Sequence, residues 1–445
     1  MTDAYVGGNI SIPRDDCASQ IDASVLSLHY PPETTGNAPY VGALASGLVT
    51  RGHRVKAFVA HPHYPEWRVR SGYGQWRRTE MIEDVEVHRL WHFVPRPPRG
   101  LRRLLSEFSF GVRLWFCRMG AEDVVIAVSP ALFATALAIL RIRLSPFRPG
   151  LVVWVQDIYT LGITETSEGN RFSAAVTKFV EKHALRSADR VVAIHPRFKD
   201  YMVGELGVRA ERISVIRNWT HLKPSVPMSK SDARVALDWP PDTLLAVHTG
   251  NMGAKQGLEN IVEAARLAEG RGLPINFVLV GDGGERVALE RLARGINSIK
   301  FVEPLNAADY RCALAAADCL LVNEMPGVAN MAVPSKLTSY FDAKRPVLAA
   351  ADPTGITASE IERANAGVVV PAGDPQALLA AALRLSQDAD AANMYGAAAQ
   401  RYCREMLTAD TAMDAFDQVV RDVSRGREDR RRARAAVSVG RLNSR

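Results

Sequence analysis

Residues 27–58 read SLHYPPETTGNAPYVGALASGLVTRGHRVKAF. Two adjacent prolines, Pro31 and Pro32, and the pair Gly36-Asn37 stand between a short apolar run and an amphipathic stretch. Proline fixes φ and removes a backbone donor, so two in a row keep the chain extended. Glycine permits conformations and close approaches that other residues resist. Residues 23–28 read as a short strand and residues 43–50 as a helix ended by Gly52. Residues 52–60, GHRVKAFVA, read as the next strand. The helix after the loop then aims free amides beyond the strand end, where α/β proteins bind phosphates. A plain strand-to-helix connection is the competing reading of the same residues.

The alternation continues outward. DVVIAVSP (123–130), LVVWVQD (151–157), RVVAIHP (190–196) and RISVIRNW (212–219) are short apolar runs, each ending in polar or proline residues and separated by helical stretches. Such a βαβ series predicts a parallel sheet buried on both faces. Residues 220–232, THLKPSVPMSKSD, break the series and read as a linker. A second series follows in LLAVHTG, INFVLVGDG, IKFVEP, CLLVNE, RPVLAA and AGVVVPAGD. The expected fold class is therefore α/β, with two Rossmann-like parallel-sheet domains facing across a cleft. The expected divisions are an extension at 1–22, a first domain at 23–219, the linker, a second domain at 233–400, a helix at 401–424 and a basic tail at 425–445.

Composition narrows the class. The chain has 445 residues, 47% hydrophobic and 23% charged, as expected of a globular protein with two or three domains. Its five cysteines (17, 117, 312, 319, 403) form no CxxC pair and read as reduced core thiols of a cytoplasmic protein. The first twenty residues are polar, which predicts no signal peptide. No run of about 18 apolar residues predicts a transmembrane helix. The net charge is +7, and residues 425–445 hold eight arginines against Glu428 and Asp429, so the remainder is close to neutral. That tail reads either as a solvated, frayed end or as a patch for anionic lipid head groups. No nucleic-acid partner is expected, because neither a motif nor aromatic interleaving accompanies the charge.

Three further loops resemble anion sites. HTGNMGAKQGLENIVEAA (248–265) ends a strand at Gly250 and carries Lys255 through a turn to a helix start, a pattern suited to a diphosphate. LVGDGGERVALERLA (279–293) places Gly281, Asp282, Gly283 and Gly284 between a strand and a helix. In VANMAVPSKLTSYFDAKRPVLAA (328–350), Pro334-Ser335-Lys336 opens a helix and puts Ser335 and Lys336 at its positive end. An exposed lysine, a glycine turn and an ordinary helix start are the respective structural readings. GxxxxGK[ST] and GxGxxG are both absent, which argues against P-loop and dinucleotide-binding enzymes.

The order YPPETTG…GHRV, GNMGAKQGLE, VGDGGER, VPSKL…RPVLAA and AGVVVPAGDPQALLAA resembles the GT-B nucleotide-sugar glycosyltransferases. The likeness is to the retaining family-4 class, in its colanic-acid and exopolysaccharide branch. AHPHYPEWRV (60–69) and QDIYTLGI (156–163) resemble further signatures of that branch, and the likeness spans about residues 24–424. The resemblance implies that Gly36 and Asn37 approach the donor phosphates and that Lys255 binds the diphosphate. It also implies donor contacts at Gly250, Asn251, Gly281, Asp282, Gly283, Pro334, Ser335 and Lys336. It implies no cofactor and no metal, with lysines and helix amides stabilising the departing diphosphate. The implied donor is a UDP- or GDP-type nucleotide-sugar, and the implied acceptor a glycan or lipid-linked sugar at the inner face of the cytoplasmic membrane.

The chain departs from the family pattern at Asn251, where many members have Arg, and at Gln156, where many have His. Ser339 and Met331 stand where many carry a glutamate pair, and Glu324 is out of register with it. A retaining transfer of the front-face type needs no strong enzymic nucleophile, since the leaving diphosphate can take the acceptor proton. Lys255 and Lys336 are the expected charge-stabilising residues, and Asp157 is the candidate for ordering the acceptor or sugar. A helix N-cap is the structural reading of Asp157. His61, His63 and Glu66 suggest a metal, but Pro62 and Pro65 make a rigid loop and no fourth ligand is evident. His195 reads as a strand-end residue. Residues 99–120 put Leu104, Phe108, Val112, Trp115 and Met119 on one helical face flanked by arginines. They read either as a core helix with a basic edge or as an interfacial helix on an anionic membrane. A catalytically inactive scaffold and a nucleotide-sugar 2-epimerase are the competing functions.

Overall fold

The computed structural model describes residues 20–34, 36–96, 101–120, 122–129, 131–161, 171–220, 228–329 and 334–442. The first lobe contains, in chain order, β1 (Asp22–Ser27), α1 (Ala38–Thr50), β2 (Arg54–Ala60), β3 (Arg77–Ile82), β4 (Val85–Leu90) and α2 (Leu101–Trp115). It continues through β5 (Val124–Ser129), α3 (Leu132–Leu144), β6 (Gly150–Val155), α4 (Arg171–Ser187), β7 (Arg190–Ala193), α5 (Pro196–Gly204) and β8 (Ile213–Val215). The sheet runs β3-β4-β2-β1-β5-β6-β7-β8 and is parallel except for β3, which pairs antiparallel with β4. Every residue of β5 and β6 is buried, as helices on both faces of a parallel sheet require.

The β3–β4 hairpin is absent from the sequence reading. RRTEMI is too polar to stand out, and its two-residue turn uses Glu83 and Asp84 at positive φ, with no Asn-Gly or Asp-Gly signal.

The second lobe follows the other series. It runs α6 (Lys230–Ala236), β9 (Leu244–Thr249), α7 (Glu259–Gly270), β10 (Ile275–Val280), α8 (Arg286–Leu292), β11 (Ile299–Val302), α9 (Ala307–Ala316) and β12 (Cys319–Asn323). Then come α10 (Lys336–Asp342), β13 (Val347–Ala350), α11 (Ile356–Ala364), β14 (Gly367–Val370), α12 (Pro375–Gln387) and α13 (Ala389–Met406). Its sheet is wholly parallel, in the order β11-β10-β9-β12-β13-β14, with an apolar core on each face. In both sheets the order reverses beside the first strand, and ligands bind outside the strand ends at such a point.

The C-terminal expectations are corrected. No helix spans 401–424, and no frayed tail begins at 425. Helix α13 ends at Met406, and α14 (Ala409–Leu442) is helical through the arginine-rich stretch. Helix α14 leaves the second lobe and lies on the first. Its stripe of Ala412, Met413, Phe416, Val419, Val420 and Val423 belongs to the first lobe's core. Polar contacts reinforce it: His53 Nε2 is 2.5 Å from Asp417 Oδ1, Arg51 pairs with Asp414 at 2.6 Å, and buried Arg427 pairs with Asp123. The apolar spacing follows the helical period, whereas the arginine count drew attention to charge alone. Most of the extension (1–19), part of the linker (221–227), Arg99, Met331 and residues 443–445 lie outside the described residues. Cys117, Cys312, Cys319 and Cys403 are unpaired and buried.

Candidate functional site

A cavity of about 710 Å³ opens where the carboxyl ends of the two sheets face one another. Its first-lobe wall is made by Gly36 and Asn37 after β1, Tyr64 and Trp67 after β2, Arg103 and Glu107 of α2, and Gln156 and Asp157 after β6. Its second-lobe wall is made by Asn251, Gly253, Lys255 and Gln256 after β9, Met325 after β12, and Ser335 before α10.

Lys255 sits in a single 3-10 turn, Ala254–Gln256. That turn is pinned from below. The buried amide of Asn323, at the end of β12, donates to the carbonyls of Gln256 and Gly257 at 2.8 Å each, and Met325 N donates to Lys255 O at 2.9 Å. Across the cavity, burial pushes the Asp157 carboxyl above the usual carboxylate range, while the charges of Lys255 and Arg103 pull it back. Asp157 itself follows β6, and Glu181 fixes the chain beyond it by accepting from the amides of Tyr159 and Thr160 at 2.8 and 3.0 Å. Gln156 and Asn218 exchange side-chain amide hydrogen bonds of 3.2 and 2.9 Å on the cavity wall.

Gly36, Asn37, Asn251, Lys255, Asp157 and Ser335 thus meet at one cavity. Gly36 has φ +64, a conformation costly for a side chain, and Asn37 caps α1 without a side-chain bond of its own. Pro334 lies beside Ser335 in a smaller adjoining recess with Arg217 and Glu360. Gly250, Gly281, Asp282, Gly283 and Lys336 do not line this cavity and belong to or adjoin the 250–253 loop instead. A Cβ on Gly281 would lie 2.0 Å from Gly250 O, and one on Gly283 would lie 2.5 Å from Met252 O. Asp282 O accepts from Met252 N at 2.8 Å. These residues shape the 250–253 loop from its far side. Lys336 turns toward the same loop: its Nζ is 3.2 Å from His248 Nε2 and would lie 3.8 Å from a Cβ on Gly250. Burial holds His248 neutral, and its Nδ1 donates to Leu321 O. Burial also lowers Lys336 to about 7, against the opposing charge of Glu324.

His61, His63 and Glu66, which read as a rigid loop, are not the three residues that converge. Glu66 is exposed, and His63 instead adjoins His29 and Glu33. Glu33 accepts from the amides of His63 and Tyr64 at 2.7 and 2.9 Å, and from His29 Nδ1 at 2.8 Å. Among the described residues this is the group of three whose ligand atoms come within 4.8 Å of one another, but N–H donors already engage both Glu33 oxygens. His195 caps α5 by accepting from Arg197 N, and its Nε2 donates across the lobes to Glu360 at 3.0 Å.

Several wall residues escaped sequence reasoning. Arg103 and Glu107 reach the cavity together from α2, His29 from the loop after β1 and Asn218 from the segment after β8. Glu107 is held by the Tyr159 hydroxyl and the Phe133 amide, and burial raises its pKa. The one available signal is position, since polar residues just after apolar strands line clefts of this kind.

The chain matches the glycosyl transferase 4-like domain over residues 35–219 and the glycosyl transferases group 1 domain over residues 243–388. It is 34% identical over 333 residues to the putative colanic acid biosynthesis glycosyl transferase WcaI of Escherichia coli (strain K12), covering 71% of this chain and 80% of that protein. Among solved structures it is similar to sucrose-phosphate synthase of Thermosynechococcus elongatus, with TM-score 0.71 and 17% identity over 90% of this chain and 98% of that one. It is also similar to Anabaena HepE in complex with UDP, with TM-score 0.65 and 17% identity over 90% and 99% of the two chains.

Proposed function

Because the chain belongs to the GT-B glycosyltransferases, in the family of the glycosyl transferase 4-like and group 1 domains, we propose that it moves a sugar from a UDP- or GDP-type donor to a glycan acceptor in exopolysaccharide biosynthesis. The observation that carries this reading is the cavity between the two sets of strand ends, with Lys255 on one wall and Asp157 on the other. The donor diphosphate lies against the 250–256 turn, where backbone amides and Lys255 take its charge. Lys336 stands one layer back and adds its charge when protonated. The first lobe then receives the acceptor, with Asp157 ordering its hydroxyls or those of the donor sugar.

Transfer proceeds with retention, the acceptor hydroxyl attacking from the side that the diphosphate leaves. The cations at the diphosphate make a metal there unnecessary. The acceptor is lipid-linked. Support for that comes from α2, whose buried side is Phe110 and Leu114 while Leu105, Phe108 and the following Phe116 are 55%, 51% and 77% exposed. Leu140, Leu144 and Phe147, on and just after the packed helix α3, add exposed apolar surface, and Arg102 and Arg118 are exposed on and just after α2. Exposed apolar side chains accompanied by arginines on the same pair of packed helices suit an anionic bilayer surface. No helix among the described residues is long and apolar enough to cross a membrane.

A panel of UDP- and GDP-sugars, read by thermal stabilisation and by slow release of nucleotide diphosphate, tests the reading. One donor should stabilise the protein and turn over. Lys255→Ala should lower turnover by about 10²–10³-fold, the scale of losing one transition-state cation or donor, with unchanged melting of the free protein. Equal turnover in variant and parent would remove Lys255 from the site.

A further inference from the structure

The opening loop holds a carboxylate–imidazole pair that the transfer described above does not use. Glu33 Oε1 receives the amides of His63 and Tyr64, which can only donate. Burial opposes charge on Glu33, yet its hydrogen bonds and the neighbouring histidines hold its carboxyl below the usual range. Glu33 is therefore ionised, and Oε2 must accept from His29 Nδ1–H at 2.8 Å. A neutral imidazole bonded this way carries its lone pair on Nε2. His29 lines the cavity, its Nδ1 edge is turned to the buried carboxylate, and Nε2 has no protein partner among the described residues. Nε2 is also not among the buried unsatisfied atoms, so it is open to the cavity.

The surrounding groups leave this role to His29. Glu107 is engaged by Tyr159 and Phe133, Asp157 faces the cations Lys255 and Arg103, and residue 156 is a glutamine. We propose that His29 Nε2 takes the proton of the attacking acceptor hydroxyl, with Glu33 fixing the tautomer and stabilising the imidazolium. This rests on the transfer reading and replaces the departing diphosphate as first proton acceptor. In the step the acceptor O–H breaks, its oxygen bonds to the anomeric carbon, and the bond from that carbon to the phosphate oxygen breaks. The electron pair leaves with the nucleotide diphosphate, and the proton resides on Nε2 until passed to solvent or to that diphosphate.

The groups facing His29 are Glu33 from its own loop, His63 and Tyr64 from the loop after β2, His92 after β4, and Glu107 from α2. Burial keeps His63 (about 4) and His92 neutral, so carboxylates supply the negative charge at this corner. A base must be unprotonated to accept the hydroxyl proton, so the rate should rise with pH to a plateau.

The test measures release of UDP or GDP, between pH 5.5 and 9, from the panel sugar nucleotide that turns over. The parent should show a rising limb and a plateau. His29→Gln should lose about 10²–10⁴-fold in kcat, the range of one general base, and lose the limb. Its donor KM and nucleotide-induced thermal shift should stay as in the parent, which a merely structural role would not leave intact. Glu33→Gln removes the charge that favours the imidazolium, so its limb should move to lower pH. A limb retained in His29→Gln with kcat within about threefold of the parent, or a parent rate that falls as pH rises, overturns the proposal. Should either variant fail to fold, 15N-histidine spectra of the parent decide. Neutral His29 must carry its proton on Nδ1, and an Nε2–H tautomer overturns the assignment. A panel in which no donor binds or turns over instead defeats the transfer reading itself.

Discussion

Lys255 and Lys336 look alike in the sequence, but their surroundings make them different reagents. Lys255 lines the cavity opposite Asp157, whereas Lys336 is turned to a neutral imidazole and lowered to about 7 by burial. A bound diphosphate favours the protonated lysine, so binding should take up a proton. UDP or GDP affinity should therefore fall as pH rises through about 7, because the charge that Lys336 supplies from behind the 250–256 turn is lost. Calorimetric titration at pH 6 and pH 8 measures this, and Lys336→Met should flatten the dependence. The lowered pKa also fixes a stability sign. Between about 7 and the ordinary lysine range the unfolded chain holds a proton that the folded one releases, so this residue's contribution to stability increases with pH across that window.

Elements carry the next level. Helix α14 is held to the first lobe by Phe416, which is fully buried and edge-on to Trp154 with ring centroids 4.9 Å apart. Phe416→Ala should cost about 3–5 kcal/mol in urea denaturation, the usual loss for a large aromatic core truncation. A cost near zero would mean that the helix is not part of that core. Helix α2 faces two ways. Arg103 and Glu107 meet the cavity while Leu105 and Phe108 meet solvent. The double change Leu105→Glu and Phe108→Glu should reduce co-sedimentation with anionic vesicles while leaving turnover of a soluble donor unchanged. Equal partitioning of variant and parent would separate α2 from any membrane role.

At the scale of the whole molecule, the two lobes are tied beside the cavity by one carboxylate. Glu360 of α11 accepts from His195 Nε2 at 3.0 Å, pairs with Arg217 and lies 3.4 Å from the Tyr402 hydroxyl. Burial opposes its charge, but its bonds to His195 and Arg217 hold its pKa below the usual range. Its contribution is therefore present above the unfolded carboxylate pKa and is lost as pH falls through the lower folded value. Glu360→Gln should loosen the lobe arrangement and raise the small-angle scattering radius of gyration without unfolding either lobe. An unchanged radius would leave the crossing chain segments near Thr220 and Leu407, joined by a 3.1 Å backbone bond, as the determinants of lobe geometry.

Much of this plan was legible in local sequence. The two strand series, the parallel pairing, and the loops bearing Gly36, Asn37, Asn251, Lys255 and Ser335 all followed from short-range pattern. A buried strand needs an apolar run, and a strand-to-helix turn needs Gly, Pro and polar residues, wherever the chain later goes. Long-range contact settled the rest. The return of α14 to the first lobe, the meeting of His29 with Glu33 and His63, Arg103 entering the cavity from α2, and Lys336 turning to His248 join residues whose spacing carries no signal. Their chemistry is set by burial and by which donor stands opposite, and those quantities exist only once the chain has folded.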